Sequence, residues 1–312
     1  MYLYGKGGEF RVSLYKSGVL EKTMNVMNYC VLAVFGIMTV YPFIYFLLLS
    51  FNDGMDAMKG GIYLWPRVFT LDNYIKAFQN KYILSSYEIT LFRTVTGTLT
   101  SVLLNSMVAY ALTRKKLPGR GKIIFYFFFT TLFSGGLIPY YILLKQINLL
   151  NNVWVFILPS IYNFYNIIIM RTYFYTIPDS LSESAVIDGS SDVGIFFRLY
   201  MPLSAPMLAT IALFFGVFHW NDWFTGAFFA NKKELMPTAT LLQQILTEAG
   251  FESEAISGSA SGNINTSMIH QTTTPEALRM TFLVITTLPI IMVYPFLQKY
   301  FVSGVMLGSI KE

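Results

Sequence analysis

An all-α membrane protein with about six transmembrane helices is the fold class this sequence predicts. Three observations carry the prediction. Of 312 residues, 54% are hydrophobic and only 12% charged, with a mean hydropathy of +0.51. A soluble domain carries roughly 25% charge, so most of this surface is not built to face water. The apolar residues fall into long continuous runs, and about 20 such residues cross roughly 30 Å of hydrocarbon. Runs of that length exclude barrel strands, which are about ten residues long and alternate. Finally, basic residues gather beside alternate runs, which gives the chain a direction across the bilayer.

The six expected spans are Asn28 to Ser50, Thr90 to Thr113, Lys122 to Leu144, Asn152 to Met170, Ala205 to Gly226, and Ala277 to Tyr300. One set of flanks holds thirteen of the 22 Lys and Arg, and its densest group is Arg114, Lys115, Lys116, Arg120 and Lys122. Short basic loops stay in the cytoplasm, so both termini are expected there. The chain then divides into a cytoplasmic N-terminal segment (1–27), a transmembrane domain (28–304) and a cytoplasmic tail (305–312). The N-terminal segment reads equally as an interfacial amphipathic stretch or a mobile tail. The first apolar run is too long for a signal-peptide core and reads as a retained anchor. The net charge of +5 follows from the loop bias and gives no reason to expect nucleic acid. The lone Cys30 allows no disulfide within the chain.

The long outer loops are 51–89 and 227–276. In the first, Thr70 to Phe78 starts with capping residues and places Tyr74 and Phe78 four apart, as in a short surface helix. In the second, Gly250 to Thr274 is rich in Gly, Ser, Asn and Thr and reads as a flexible excursion. The third span is interrupted by Ser134, Gly135, Gly136 and Pro139. That pattern fits either a packing kink or a discontinuous helix beside a pathway.

The polar stretch 171–204 separates the fourth and fifth spans. Pro178 permits a helix start, and Ser180 and Glu183 have capping-box spacing. The helix runs to about Asp188, where Gly189 supplies the positive φ that ends it. Ser190 or Ser191 caps a second short helix through Phe197, and Pro202 stops that element. The result is a helix–turn–helix whose exposed face is small and polar: Ser184, Ala185, Asp188 and Ser190. Phe196 and Phe197 anchor it. Glu183 either caps its own helix or meets a partner, and the whole stretch reads equally as a plain connector.

Polar residues within spans are costly and therefore informative. Asn105 lies in the second span, and Tyr162, Asn163, Tyr165 and Asn166 lie in the fourth. Amides that bond hydroxyls and aromatic faces that cover C–H surfaces suit a sugar. Interhelical hydrogen bonding is the plainer reading of the same asparagines. Trp220, Asn221 and Trp223 close the fifth span, with the two tryptophans three apart. They read as membrane anchors or as the mouth of a path. Asp222 between them would repel an anionic ligand unless paired. His219 has no neighbours at metal-ligand spacing, so no metal is expected. There is no G-x-x-x-x-G-K-[ST] motif and no coherent catalytic set, which argues against an ATPase or a membrane enzyme.

Glu183-Ser184-Ala185, Gly189 and Leu199-Tyr200-Met201-Pro202 keep every spacing of the EAA loop of type I ABC importer permeases. In this chain Ser184 replaces the middle alanine, Leu199 the isoleucine and Met201 the leucine. Gly60 to Pro66, Thr70 to Tyr74, Arg114 to Arg120, Gly135 to Pro139 and Tyr294 to Lys311 also match. The chain thus resembles the oligosaccharide branch of the maltose-type sugar permeases, from about Val31 to Lys311. The loop 250–274 fits least.

The resemblance implies a type I ABC importer permease fold and an ATPase-coupling role for Glu183, Ser184, Ala185, Asp188, Gly189, Leu199 and Pro202. It implies a second homologous permease, two copies of a cytoplasmic ABC ATPase, an extracellular solute-binding protein, and an oligosaccharide cargo crossing a bacterial cytoplasmic membrane. ATP and Mg would be used by the ATPase, with no cofactor on this chain, and the tail from Gly304 would lie against the motor. A non-sugar ABC cargo shares the loop motif. An ion-coupled transporter instead requires carboxylates near a span centre, and none is seen there.

Overall fold

The computed structural model describes residues 19–247 and 273–309, with side chains over 22–247 and 273–293. The expectations for residues 1–18, for most of the 250–274 loop and for the tail side chains lie outside those residues. The chain forms α1 (Val19–Ser50), α2 (Gly54–Ala57), α3 (Asp72–Phe78), α4 (Ile83–Thr113), α5 (Arg120–Leu132), α6 (Leu137–Gln146) and α7 (Phe164–Phe174). It continues with α8 (Asp179–Ile187), α9 (Asp192–Ile195), α10 (Met201–Leu203), α11 (Ala205–Asn221), α12 (Phe224–Phe229), α13 (238–247) and α14 (Pro275–Ser309). Among the described residues there is no strand beyond one isolated bridge between Asn52 and Phe69.

Three helices are long and apolar enough to cross a membrane alone, and three bent pairs reach that length together. The described residues thus hold three to six spans, six when each bent pair counts as one, and the expected third, fourth and fifth are not straight helices. The third is broken between α5 and α6 by 115°. Phe133 is extended and Gly136 sits at φ +83, a conformation that side chains other than glycine rarely take. The discontinuous reading is the one realised, not a kink. The fourth begins as two 3₁₀ turns, Val153–Phe156 and Leu158–Ser160, and bends 50° into α7. The fifth ends at Asn221, because Asp222 leaves helical geometry at φ −71, ψ 99.

α4 is the axis of the fold, packing against α11 and α7. Its sides are inverted relative to a soluble helix. Thr90, Arg93, Gly97, Ser101 and Asn105 are buried at helical spacing, whereas Leu91, Val95 and Leu99 face outward, Leu99 being 66% exposed. Small and polar residues let helices approach closely in lipid, and leucine loses nothing by facing acyl chains. In the outer loop the expected short helix forms as α3, which buries Asn73 and Ala77 against the fold and leaves Phe78 exposed. Asn73 donates from Nδ2 to the Ser50 and Asn52 carbonyls at 3.1 and 2.8 Å, which fixes α3 to the end of α1.

Candidate functional site

The first candidate is the knuckle formed by α8 and α9. α8 ends in a Schellman arrangement: Gly189 N–H donates to the Val186 carbonyl at 3.0 Å and Ser190 N–H to that of Ala185 at 2.9 Å. Gly189 stands at φ +80, as the sequence requires. Ser191, one of the two candidates, caps α9 by accepting from Gly194 N–H at 3.2 Å.

Three expectations are corrected. The Ser180–Glu183 capping box does not form, since the N-cap is Pro178 and α8 begins at Asp179, two residues earlier than a Ser180 cap requires. Pro202 does not stop the element. It lies near the end of one continuous helical run, Asp192–Leu203, directly after the π-helical residues Phe196–Tyr200 that interrupt the regular bonding ladder ahead of it, and the 85° break comes at Ser204. The exposed face is also less polar than expected: Ser184 and Asp188 face outward beside Val186 and Ile187, the latter 85% exposed. Ala185 instead packs against the core. Glu183 is exposed and makes no side-chain hydrogen bond among the described residues.

Aromatic packing seats the knuckle. Phe196 and Tyr200 lie on a π-helical run, Phe196–Tyr200, and both are buried against Tyr110 of α4 at ring separations of 5.3 and 4.8 Å. Leu199 joins the same core, while Phe197 is half exposed. Ser182 and Tyr200 share a buried hydroxyl bond at 3.0 Å. Arg114 stacks over Tyr110, hydrogen-bonds its hydroxyl and reaches Asp192 at 3.5 Å. Exposed ion pairs contribute about 0–1 kcal/mol each, so the buried rings dominate. Tyr110 and Ser182 carry no signal in the sequence, and Arg114 and Tyr200 stand there only as a topology signal and as parts of the family match, because the contacts they make lie far along the chain.

The second candidate is a cavity of about 530 Å³, within the range of roughly 300–1,000 Å³ typical of ligand sites. Tyr162, Asn163, Tyr165 and Asn166 all line it, together with aromatic side chains of α11 and α12. Asn163 is not on the helix: it caps α7, its Oδ1 accepting from Asn166 N–H at 3.0 Å. The Asn166 side-chain amide makes no hydrogen bond among the described residues.

Asn105 is not among the lining residues. It is 2% exposed, donates from Nδ2 to the Ser101 and Ile161 carbonyls, both at 2.6 Å, and accepts from Asn163 N–H at 3.0 Å. It thus satisfies the backbone that the fourth-span break leaves open. Asn105→Leu removes the partner of two part-buried backbone groups, the Ile161 carbonyl and the Asn163 N–H, at about 1 kcal/mol each. The expected result is a melting temperature several degrees lower in detergent. An unchanged melting curve would contradict the structural role.

Of the tryptophan pair, Trp220 departs from both readings. Trp220 is 9% exposed and donates from Nε1 to the Thr286 carbonyl at 3.2 Å, so it joins α11 to α14. Trp223 is exposed beyond the helix end, and with Asn221 it lines a separate, smaller cavity of about 170 Å³. Asp222 is paired. Arg93 donates to its Oδ2 at 2.5 Å and to its carbonyl at 2.9 Å, and the Arg93 side chain is 0% exposed. Sequence reasoning missed Arg93, although a lone arginine inside a span is itself a signal of a partner.

No family model matches the chain. Curated relatives do. It is 37% identical over 291 residues to the polygalacturonan/rhamnogalacturonan transport system permease protein YtcP of Bacillus subtilis, covering 93% of this chain and 99% of that one. It is 34% identical over 290 residues to protein LplC of the same organism, covering 93% and 95%. It is 26% identical to the arabinooligosaccharides transport system permease protein AraQ of Halalkalibacterium halodurans, covering 89% and 94%. Among solved structures it matches a chain of a bacterial ABC transporter involved in the import of the acidic polysaccharide alginate. That match has a TM-score of 0.79 and 28% identity over 91% of this chain and 98% of that one.

Proposed function

The chain belongs to the permease subunits of carbohydrate ABC importers, and from that membership we propose that its aromatic cavity carries an oligosaccharide while its knuckle receives force from an ATPase. It is a multi-pass membrane protein and not an enzyme, with ATP hydrolysis falling to a separate subunit. An importer of this kind works with an ATPase, a second permease and a solute-binding protein. In our reading there are two ATPase copies with ATP and Mg, and the binding protein sits outside. Residues 1–27, the 171–204 loop and 305–312 lie in the cytoplasm, around the transmembrane domain 28–304.

The observation that carries the reading is the lining of the 530 Å³ cavity by Tyr162, Asn163, Tyr165 and Asn166 among phenylalanines. Amide groups bond hydroxyls, and ring faces cover the C–H side of a pyranose. For the motor, Glu183, Ser184, Asp188, Val186 and Ile187 present a mixed face on a helix small enough to enter a cleft. The rearward residues Ala185, Leu199 and Tyr200 pass displacement into α4 and α7. An ion-coupled mechanism is disfavoured by Asp222, whose carboxylate is held by Arg93 and is not free to cycle a cation.

The test is uptake by proteoliposomes holding the whole transporter, with oligosaccharide-loaded binding protein outside and ATP inside. Uptake is expected to survive ionophore collapse of all gradients and to stop when ATP is withheld. Uptake that follows the gradient instead would overturn the ABC reading. Uptake of a peptide or polyamine, with no saccharide carried, would overturn the cargo.

A further inference from the structure

Arg93 lies outside the cavity yet touches two of its walls. One wall is the elbow between α11 and α12, where Phe218, Phe224 and Thr225 line the space on either side of Asp222. Arg93 holds that elbow by its backbone carbonyl and its carboxylate together, while Asp222 Oδ1 accepts from Thr225 N–H at 3.1 Å and so starts α12. The other wall is the 3₁₀ turn Val153–Phe156, continuing to Pro159. The Arg93 guanidinium lies over the Phe156 ring at 4.8 Å from its centroid. A planar cation with a rigid fork can bond two oxygens in its plane and stack on a ring with its face, which an ammonium cannot do.

We propose that Arg93 is a positioning residue that sets the spacing between these two walls and thereby the length of saccharide the cavity accepts. The inference rests on the cavity being the saccharide path. A buried, unpaired arginine is strongly disfavoured in a span, so the guanidinium stays where Asp222 and Phe156 are. Removing either contact frees one wall while leaving the other held. The elbow has a second restraint on its far side, where Thr240 Oγ1 donates to the Trp223 carbonyl at 2.9 Å. Loss of the Arg93 contacts therefore shifts the elbow about Trp223 rather than unfolding it.

The experiment uses the reconstituted transporter and two labelled saccharides of different length that the native complex carries, supplied together on saturating binding protein. The readout is the ratio of their uptake, which the amount of folded protein does not change. Arg93→Lys keeps the charge but loses the fork and the stack. The expected result is a change in that ratio of roughly threefold or more. Phe156→Leu, which frees only the second wall, shifts it in the same direction with Asp222 still paired. Equal loss of both uptakes, with the ratio unchanged in both variants, would overturn the proposal and leave Arg93 a purely structural residue.

A cargo-independent arm separates this failure from failure of the functional reading. With Cys30 replaced by Ser, spin labels at Trp154 and Phe228 report the wall spacing. Arg93→Lys is expected to change their separation. A changed separation without saccharide transport by the native complex would leave the wall tie standing and sink only the cargo. An unchanged separation would sink the tie.

Discussion

Gly189→Pro abolishes the productive link between ATP hydrolysis and uptake. Proline is locked near φ −65, and Gly189 stands at φ +80. The change also deletes the N–H that bonds Val186 at 3.0 Å. The strain and the lost bond together cost about 2–4 kcal/mol. At 1.4 kcal/mol per factor of ten, this depopulates the native knuckle by tenfold or more, roughly. The cost falls on the angle between α8 and α9 and not on the spans, so the protein should insert and the complex should assemble. ATP hydrolysis persists without matching uptake.

A graded series sharpens the test, because asparagine visits the left-handed region more readily than alanine does. Uptake is expected to fall from Gly to Asn to Ala to Pro. Uptake by Gly189→Pro at the native rate, in complexes of native composition, would remove the knuckle from the mechanism.

Gly97→Ala destabilises the transmembrane core itself. A Cβ at Gly97 would stand 2.5 Å from His219 Nε2 and 2.6 Å from Cε1. The imidazole is fully buried in the seam between α4 and α11, so the ring must move within the packed core to admit a methyl group. Overpacking of this kind costs about 1–3 kcal/mol, and a larger side chain costs more. The expected outcome is a lower melting temperature for Gly97→Ala in detergent and loss of folded protein for Gly97→Leu. His219→Ala in the same chain restores the space, so the double variant should recover most of the alanine penalty. The coupling energy in that cycle should be of order 1 kcal/mol or more, in the rescuing direction. Additive losses would show that the glycine and the ring do not meet.

The parts of the molecule legible in the sequence were those set by local rules. Span count follows from the length of apolar runs, and the knuckle from a glycine needing positive φ and a serine able to cap. The break at Gly135 and Gly136 could be seen, but its 115° angle could not, because a glycine pair permits many directions. The fourth-span break has one sequence signal, Pro159, which an average over an apolar window passes over, and no sequence pattern shows that Asn105 accepts and donates for the backbone opened there.

Four of the cavity residues, Tyr162, Asn163, Tyr165 and Asn166, were found because polar groups are conspicuous in an apolar span. Asn105 follows the plainer of its two readings, hydrogen bonding between spans, whereas Trp220 is neither a membrane anchor nor part of the cavity lining. A polar or amphipathic group in a span announces that it has a partner, not which partner. Arg93 shows the limit best: its meaning depends on an aspartate 129 positions away.

The third span has a consequence for biosynthesis. α5 has 13 residues and α6 has 10, so at about 1.5 Å per residue neither rod reaches across the roughly 30 Å hydrocarbon slab. Segments of that size are poor substrates for the insertion machinery when they emerge singly from the ribosome. The two are therefore expected to enter lipid together, after the sharp corner at Gly136 has left the exit tunnel. Nascent chains truncated between them would slip back toward the aqueous side.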